Sequence, residues 1–225
     1  MTNQTVTSAT PHVVADLPPD TTPAAVTLER VTKVFNDAAG VPPVLQDLSL
    51  RVGAGEFVCL LGASGCGKST LLNLVAGLDS PTTGQIEVPG GKTALMFQES
   101  ALFPWLTAGK NIELALRLSG VPRTEWKAEI ARLLDLVHLS GQENKRIHEL
   151  SGGMRQRVAL ARALAQRARI LLMDEPFAAL DAITRDVLHE ELHRIWREAD
   201  LTVLFVTHNV REAVRLGQRV LLMSS

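Results

Sequence analysis

The stretch "GEFVCLLGASGCGKSTLLNLVAGL", residues 55–78, decides how the chain is read. It begins with a short apolar run, Phe57 to Leu61, that ends in glycine and has the character of a buried strand. It closes with "STLLNLVAGL", apolar nearly all round as a helix enclosed in a core is, and Gly77 stands where such a helix stops. Between them Gly62, Ala63, Ser64, Gly65, Cys66, Gly67, Lys68, Ser69 and Thr70 fit G-x-x-x-x-G-K-[ST], here in the strand, loop, helix context that gives the pattern meaning. Glycines let successive backbone N–H groups curl around phosphate oxygens. Lys68 is spaced to reach the outer phosphates, and the Ser69 hydroxyl to ligate Mg²⁺.

Outward from this loop, β-type signals start at Val26 with "VTLERVTKVF" and continue in "VLQDLSLRV". Residues 1–25, rich in Thr, Pro and Ala and without Lys or Arg, are expected to form a flexible tail. Further on, "RVALARALAQRA" and "VLHEELHRIW" are helical, whereas "RILLMDEP" and "LTVLFVTHN" are buried strands. Strands alternating with helices imply a parallel sheet with crossover connections, whose ligands gather at the carboxyl ends of the strands. Residues 102–165 interrupt this rhythm with helices. In "TEWKAEIARLLDLVHL", Trp126, Ile130, Leu133, Leu134 and Val137 form one stripe, with Thr124 as the expected N-cap.

Composition narrows the classes. A chain of 225 residues with 46% hydrophobic content builds one well-buried domain. The 23 basic and 24 acidic residues nearly cancel, which argues against nucleic acid as a partner. No apolar run is long enough to span a bilayer and no secretory signal opens the chain, so a cytoplasmic protein is expected. Cys59 and Cys66 fit a reducing compartment without a disulfide. Cys66, at a helix N-terminus, should react readily unless phosphate covers it.

Ile170 to Met173 deliver Asp174 and Glu175 to the end of a strand. Asp174 is placed to hold a metal, and Glu175 to orient an attacking water and accept its proton, although acids after a strand can also merely cap the next helix. His208 ends another apolar strand and could touch a terminal phosphate. A second anion-binding pattern, Ser151 before Gly152 and Gly153 in "ELSGGMRQRV", opens a helix with free N–H groups far along the chain from the first. One competing motif is "HEELH", residues 189–193, which matches the zinc-protease pattern H-E-x-x-H. Its helix also carries Leu188, Leu192 and Ile195 as a buried stripe, and no third ligand motif follows.

Taken together, these residues resemble the ATP-binding-cassette (ABC) ATPases from Val26 to Met223. Gly62 to Thr70 is the Walker A loop, Gln98 the Q-loop, "LSGGMRQR" the signature with Ser151, Gly152, Gly153 and Gln156, "ILLMDEP" Walker B, "ALD" at 179–181 the D-loop and His208 the switch histidine. The resemblance implies an α/β P-loop NTPase core with a mixed, mainly parallel sheet, an N-terminal antiparallel β subdomain and an inserted helical subdomain. It implies ATP and Mg²⁺ as cofactors, Ser69, Gln98 and Asp174 around the metal, and Glu175, His208 and Gln98 as catalytic groups. Phe35 would stack on adenine. The signature residues would bind ATP held by a second subunit, which Asp181 would also meet. Ala179, where many relatives have Ser, and a short or truncated C-terminal part depart from the pattern.

"FPWLTAGKNIEL", "DEPFAALDAITR" and "THNVREAV" are similar to the importer ATPases for nitrate, sulfonates and taurine. This resemblance implies a homodimer or paired cassette on the cytoplasmic face of the membrane, coupled to permease subunits and indirectly to a solute-binding protein. The transported solute would never touch this chain. The alternatives are a cassette of another transport system or one used outside transport; the chromosome class carries a long coiled coil and the translation class two tandem cassettes, neither of which this sequence has.

Overall fold

A computed structural model describes residues 23–35, 42–178 and 180–224. The chain runs β1 (Ala24–Lys33), β2 (Leu45–Gly53), β3 (Phe57–Gly62), α1 (Lys68–Val75), β4 (Thr83–Glu87), β5 (Thr93–Met96), α2 (Ala108–Leu118), α3 (Trp126–Leu136), a 3₁₀ turn (Ile147–Glu149), α4 (Gly152–Leu164), β6 (Ile170–Asp174), α5 (Ala182–Glu198), β7 (Thr202–Thr207), α6 (Val210–Leu216) and β8 (Arg219–Met223). Most of the expected tail lies outside the described residues. Its boundary moves, because β1 starts at Ala24 rather than Val26: Ala24 pairs with Gly53, and the Pro23 carbonyl accepts from Ala54 N–H.

The apolar runs of β3, β6 and β7 bury both faces, as strands of a covered parallel sheet must. Phe57, Cys59, Leu171, Met173, Val203 and Phe205 point into one core with the helices, while Val58, Leu60, Ile170, Leu172, Leu204 and Val206 point into a second with α1 and the antiparallel strands. Parallel and antiparallel pairing are segregated. The five-stranded sheet, in the order β5-β6-β7-β3-β8, is parallel throughout, and β2-β1-β4 form a separate antiparallel sheet.

Residues 102–165 contain α2, α3, the 3₁₀ turn and α4. Thr107 caps α2, accepting from Lys110 N–H at 3.2 Å. Thr124 does not cap α3, which corrects the sequence expectation. Pro122 already opens a turn that Glu125 N–H closes at 2.9 Å, and Glu125 precedes the helix in a helical conformation without a side-chain cap. Leu133, Leu134 and Val137 are buried as the stripe requires, and Trp126 ties its indole N–H to the Val121 carbonyl at 2.8 Å.

The helix-side core is centred on buried aromatics. Phe57 lies edge-on to Trp196 at 5.6 Å and against Phe205 at 6.0 Å. Truncating Phe57 to Ala leaves a cavity that helices on one side and sheet on the other cannot collapse, and is expected to cost about 3–5 kcal/mol in denaturant unfolding. An unchanged denaturation midpoint would contradict the packing described.

Candidate nucleotide site

Strand register places the candidate residues at one edge. Leu61 of β3 lies opposite Thr207 of β7, Asp174 of β6 opposite Val206, and Met96 of β5 opposite Met173. The four strands therefore end at nearly the same level, and each passes its next residues into one cleft: the 62–70 loop from β3, Gln98 from β5, Asp174 and Glu175 from β6, His208 from β7. This cleft encloses about 410 Å³ and is lined by Ser64, Gly65, Gly67, Lys68, Ser69, Thr70, Gln98, Asp174, Glu175 and His208, with Val44 at its margin.

The loop's glycines are needed for shape. Gly65 (φ 85°) and Gly67 (φ 95°) adopt left-handed conformations, and a Cβ on Gly67 would come within 2.7 Å of the Leu45 side chain. Lys68 is buried, its ammonium donating to the carbonyls of Gly62 (2.9 Å) and Ala63 (2.7 Å). Burial raises the Asp174 carboxyl above its usual range; the Ser69 hydroxyl bonded to it opposes that shift, the Glu175 charge adds to it and Lys68 opposes it again. A hydroxyl, a carboxylate and the Gln98 amide form a set of hard oxygen donors beside an N–H-lined loop, and so fit Mg²⁺ and phosphate.

Glu175 sits in the left-handed region at φ 43°, which costs a non-glycine residue of order 1 kcal/mol. Its N–H holds that geometry by donating to the Val206 carbonyl at 3.1 Å. The result aims its carboxylate at His208, whose Nδ1 lies 3.0 Å from Oε2. Cys66 differs from expectation. It is 3% exposed, sealed beneath the loop with Lys68 Nζ 3.6 Å from its sulfur, so access rather than nucleophilicity limits its chemistry.

The second anion pattern is present but does not line this cleft. Ser151 caps α4, accepting from Met154 N–H at 3.2 Å, and Gly152 and Gly153 form its exposed or half-exposed first turn. Gln156 behaves otherwise than the sequence reading expects of a group facing a second subunit. Pointing inward and 5% exposed, it donates from its amide nitrogen to the Gln98 carbonyl at 2.5 Å. Asp181 caps α5 through Thr184, whose backbone and hydroxyl bonds hold its carboxyl below the usual range. Phe35 is 63% exposed with the Lys33 ammonium 5.0 Å from its ring centre, and stands outside the cleft's lining. Arg162 escaped sequence reasoning. It donates to the carbonyls of Ala101 (2.7 Å) and Ser100 (3.2 Å) and lies over the Phe103 ring, and its only sequence signal is a charge amid "ALARAL".

A family model described as "ABC transporter" matches residues 45–178. The chain belongs to the ABC transporter family. It is an ATP-hydrolysing cassette that uses ATP and Mg²⁺. Among relatives, it is 46% identical to a bicarbonate transport ATP-binding protein of Synechocystis sp. (91% of this chain, 76% of that one). It is 45% identical to a nitrate import ATP-binding protein of the same organism (87% and 76%) and 45% identical to a taurine import ATP-binding protein of Burkholderia pseudomallei (89% and 80%). A dimeric ATP-binding cassette in a post-hydrolysis state bound to ADP and Pi superposes with TM-score 0.80 at 34% identity, over 88% of this chain and 94% of that one.

In this cassette "HEELH" is packing. His189 is 3% exposed and stacks edge-on to Phe177 at 5.3 Å, while His193 lies on the Trp196 indole at 4.9 Å. Among the described residues no three His, Cys, Asp or Glu side chains cluster as metal ligands. Burial lowers the His189 pKa, opposed by the Glu212 charge and with smaller contributions from Arg215, Asp186 and Arg185. Its folded form resists protonation, so below the unfolded value of about 6.5 the unfolded chain binds more protons and stability falls with pH. Between about pH 7.5 and about pH 5.5 the cassette should lose more Tm than its His189→Gln variant does; equal slopes would contradict this assignment.

Burial also pushes the Cys59 thiol up to about 12, with the Glu212 charge contributing. Maleimide should therefore leave Cys59 untouched and reach Cys66 only through loop opening, at a rate that MgATP lowers further. Rapid labelling of either thiol in the native protein would refute this burial.

Proposed function

We propose that this cassette is the ATP-hydrolysing subunit of an importer for a small anion, working as a pair around two molecules of MgATP. The observation that carries the reading is the division of the anion-binding groups. The 62–70 loop, Gln98, Asp174, Glu175 and His208 share one cleft, whereas Ser151, Gly152 and Gly153 present their N–H groups elsewhere. A second copy resolves the division, each subunit's α4 start covering the nucleotide held by the other.

In this reading the loop N–H groups and Lys68 cradle the phosphates, and Ser69, Gln98 and Asp174 hold Mg²⁺. The bound metal neutralises charge on the phosphate oxygens. Glu175 orients the attacking water and accepts its proton. His208 meets the terminal phosphate and, through its 3.0 Å contact, keeps the Glu175 carboxylate aimed. Phe35 offers a face for adenine, and Asp181 meets the second subunit beside the signature residues.

Coupling to membrane subunits is supported by the surface beyond the Q-loop. Trp105 is 68% exposed, and a groove of about 480 Å³ bordered by Leu78, Phe97, Phe103 and Leu118 has the apolar lining that a short amphipathic helix of a permease would fill. Among the described residues no helix is long and apolar enough to cross a membrane, and in this reading the subunit sits at the cytoplasmic face against its permease. The relatives' names, for nitrate, bicarbonate and taurine, support a small anion as cargo, delivered by a binding protein to the permease and never to this chain.

Glu175→Gln should keep ATP affinity, lose about 10²-fold or more in turnover and accumulate as an ATP-dependent dimer in size-exclusion chromatography. Wild-type turnover, or a monomer at saturating MgATP, would overturn the reading.

A further inference from the structure

We propose that Glu212, inside the fold, is a positioning residue for hydrolysis: its carboxylate fixes the His208 loop and the loop before α5 relative to one another. The proposal rests on the ATPase reading above.

Glu212 lies in the first turn of α6 and is 9% exposed. A carboxylate so enclosed has to be compensated by specific partners. One oxygen, Oε2, accepts the Thr207 hydroxyl at 2.5 Å, and the Thr207 oxygen in turn accepts Asn209 N–H at 3.0 Å. These two bonds grip the backbone on either side of His208. The imidazole, 63% exposed, is thereby carried on an anchored backbone to its contact with Glu175.

The other oxygen, Oε1, faces α5, where Arg185 Nε and His189 Nε2 each lie 3.6 Å away. Arg185 extends beyond the carboxylate and donates from Nη2 to the Leu180 carbonyl at 2.8 Å. Leu180 directly precedes Asp181, the cap of α5. Burial lowers the His189 pKa, and Arg185 is the guanidinium that faces the carboxylate at 3.6 Å. One buried charge therefore joins the residue that aims Glu175 to the loop assigned to the second subunit. An apolar side chain of similar volume would fill the space equally well. It would, however, release both loops, so the carboxylate is explained by geometry more than by stability.

The test compares Glu212→Gln, Glu212→Leu, Thr207→Val and Arg185→Met in full-length protein, with Tm, affinity for a fluorescent ATP analogue, KM and kcat measured for each. Glu212→Leu should lower kcat about tenfold or more while nucleotide affinity stays within about twofold. Glu212→Gln, which keeps an acceptor for Thr207 and loses the charge facing Arg185, should fall between. Combining Thr207→Val with Glu212→Leu should cost less than the sum of the two, because both cut the Thr207–Glu212 bond and only Thr207→Val also frees Asn209 N–H. A wild-type kcat in Glu212→Leu, a parallel loss of affinity and turnover, or additivity of the double variant would overturn the proposal. Should Glu212→Leu fail to fold, Glu212→Gln and Thr207→Val carry the same comparison. Glu175→Gln serves as the control: if it too retains turnover, the hydrolysis reading fails, whereas if it is inactive and the Glu212 variants are normal, only this proposal does.

Discussion

The pairing of β3 with β7, Leu61 opposite Thr207, is the constraint on which the site depends. A parallel ladder has a side-chain period of two, so a slip of β7 by one residue would turn Phe205 to the wrong core and displace His208 by about 3.3 Å relative to the phosphate loop. Neither change is tolerable on its own. The buried faces enforce the register, and the register delivers the chemistry: the catalytic edge inherits its precision from hydrophobic packing several residues away.

That edge is also where burial runs out. Along β6 the side chains from Ile170 to Met173 are buried, and Asp174 is the first to be partly open. It keeps enough enclosure to raise its carboxyl and enough contact with Ser69 and Lys68 to restrain the rise. One residue on, Glu175 is turned by a left-handed backbone toward His208 rather than along the strand direction. Two adjacent carboxylates are thus aimed in different directions by a single backbone rotation.

The strands, the phosphate loop and both strand-end acids were legible in the sequence because each rests on local pattern: apolar runs, fixed spacings and glycines where the chain must turn. What was not legible depends on partners distant in the chain. Gln156 reads as part of a surface motif, yet it bonds the backbone of Gln98, 58 positions away. Thr124 has the right type to cap a helix, but the turn started by Pro122 takes that place. Cys66 reads as a thiol that reacts readily unless phosphate covers it, but the folded chain already buries it beside Lys68. Nothing local in the sequence tells what Arg162 and Glu212 hold, since those carbonyls and loops are chosen by the tertiary fold.

The bonds from α4 to the Q-loop have a mechanical meaning. With 13 residues at 1.5 Å rise, α4 is a rod of about 20 Å. Ser151 stands at one end, Gln156 clasps the Gln98 carbonyl near the middle, and Arg162 clasps Ser100 and Ala101 toward the other end. Two clasps about 1.7 turns apart remove the freedom to pivot that a single one would leave. The segment 98–103 and the rod are consequently joined as one piece, and the end that bears the glycine pair lies against the Leu180 side chain.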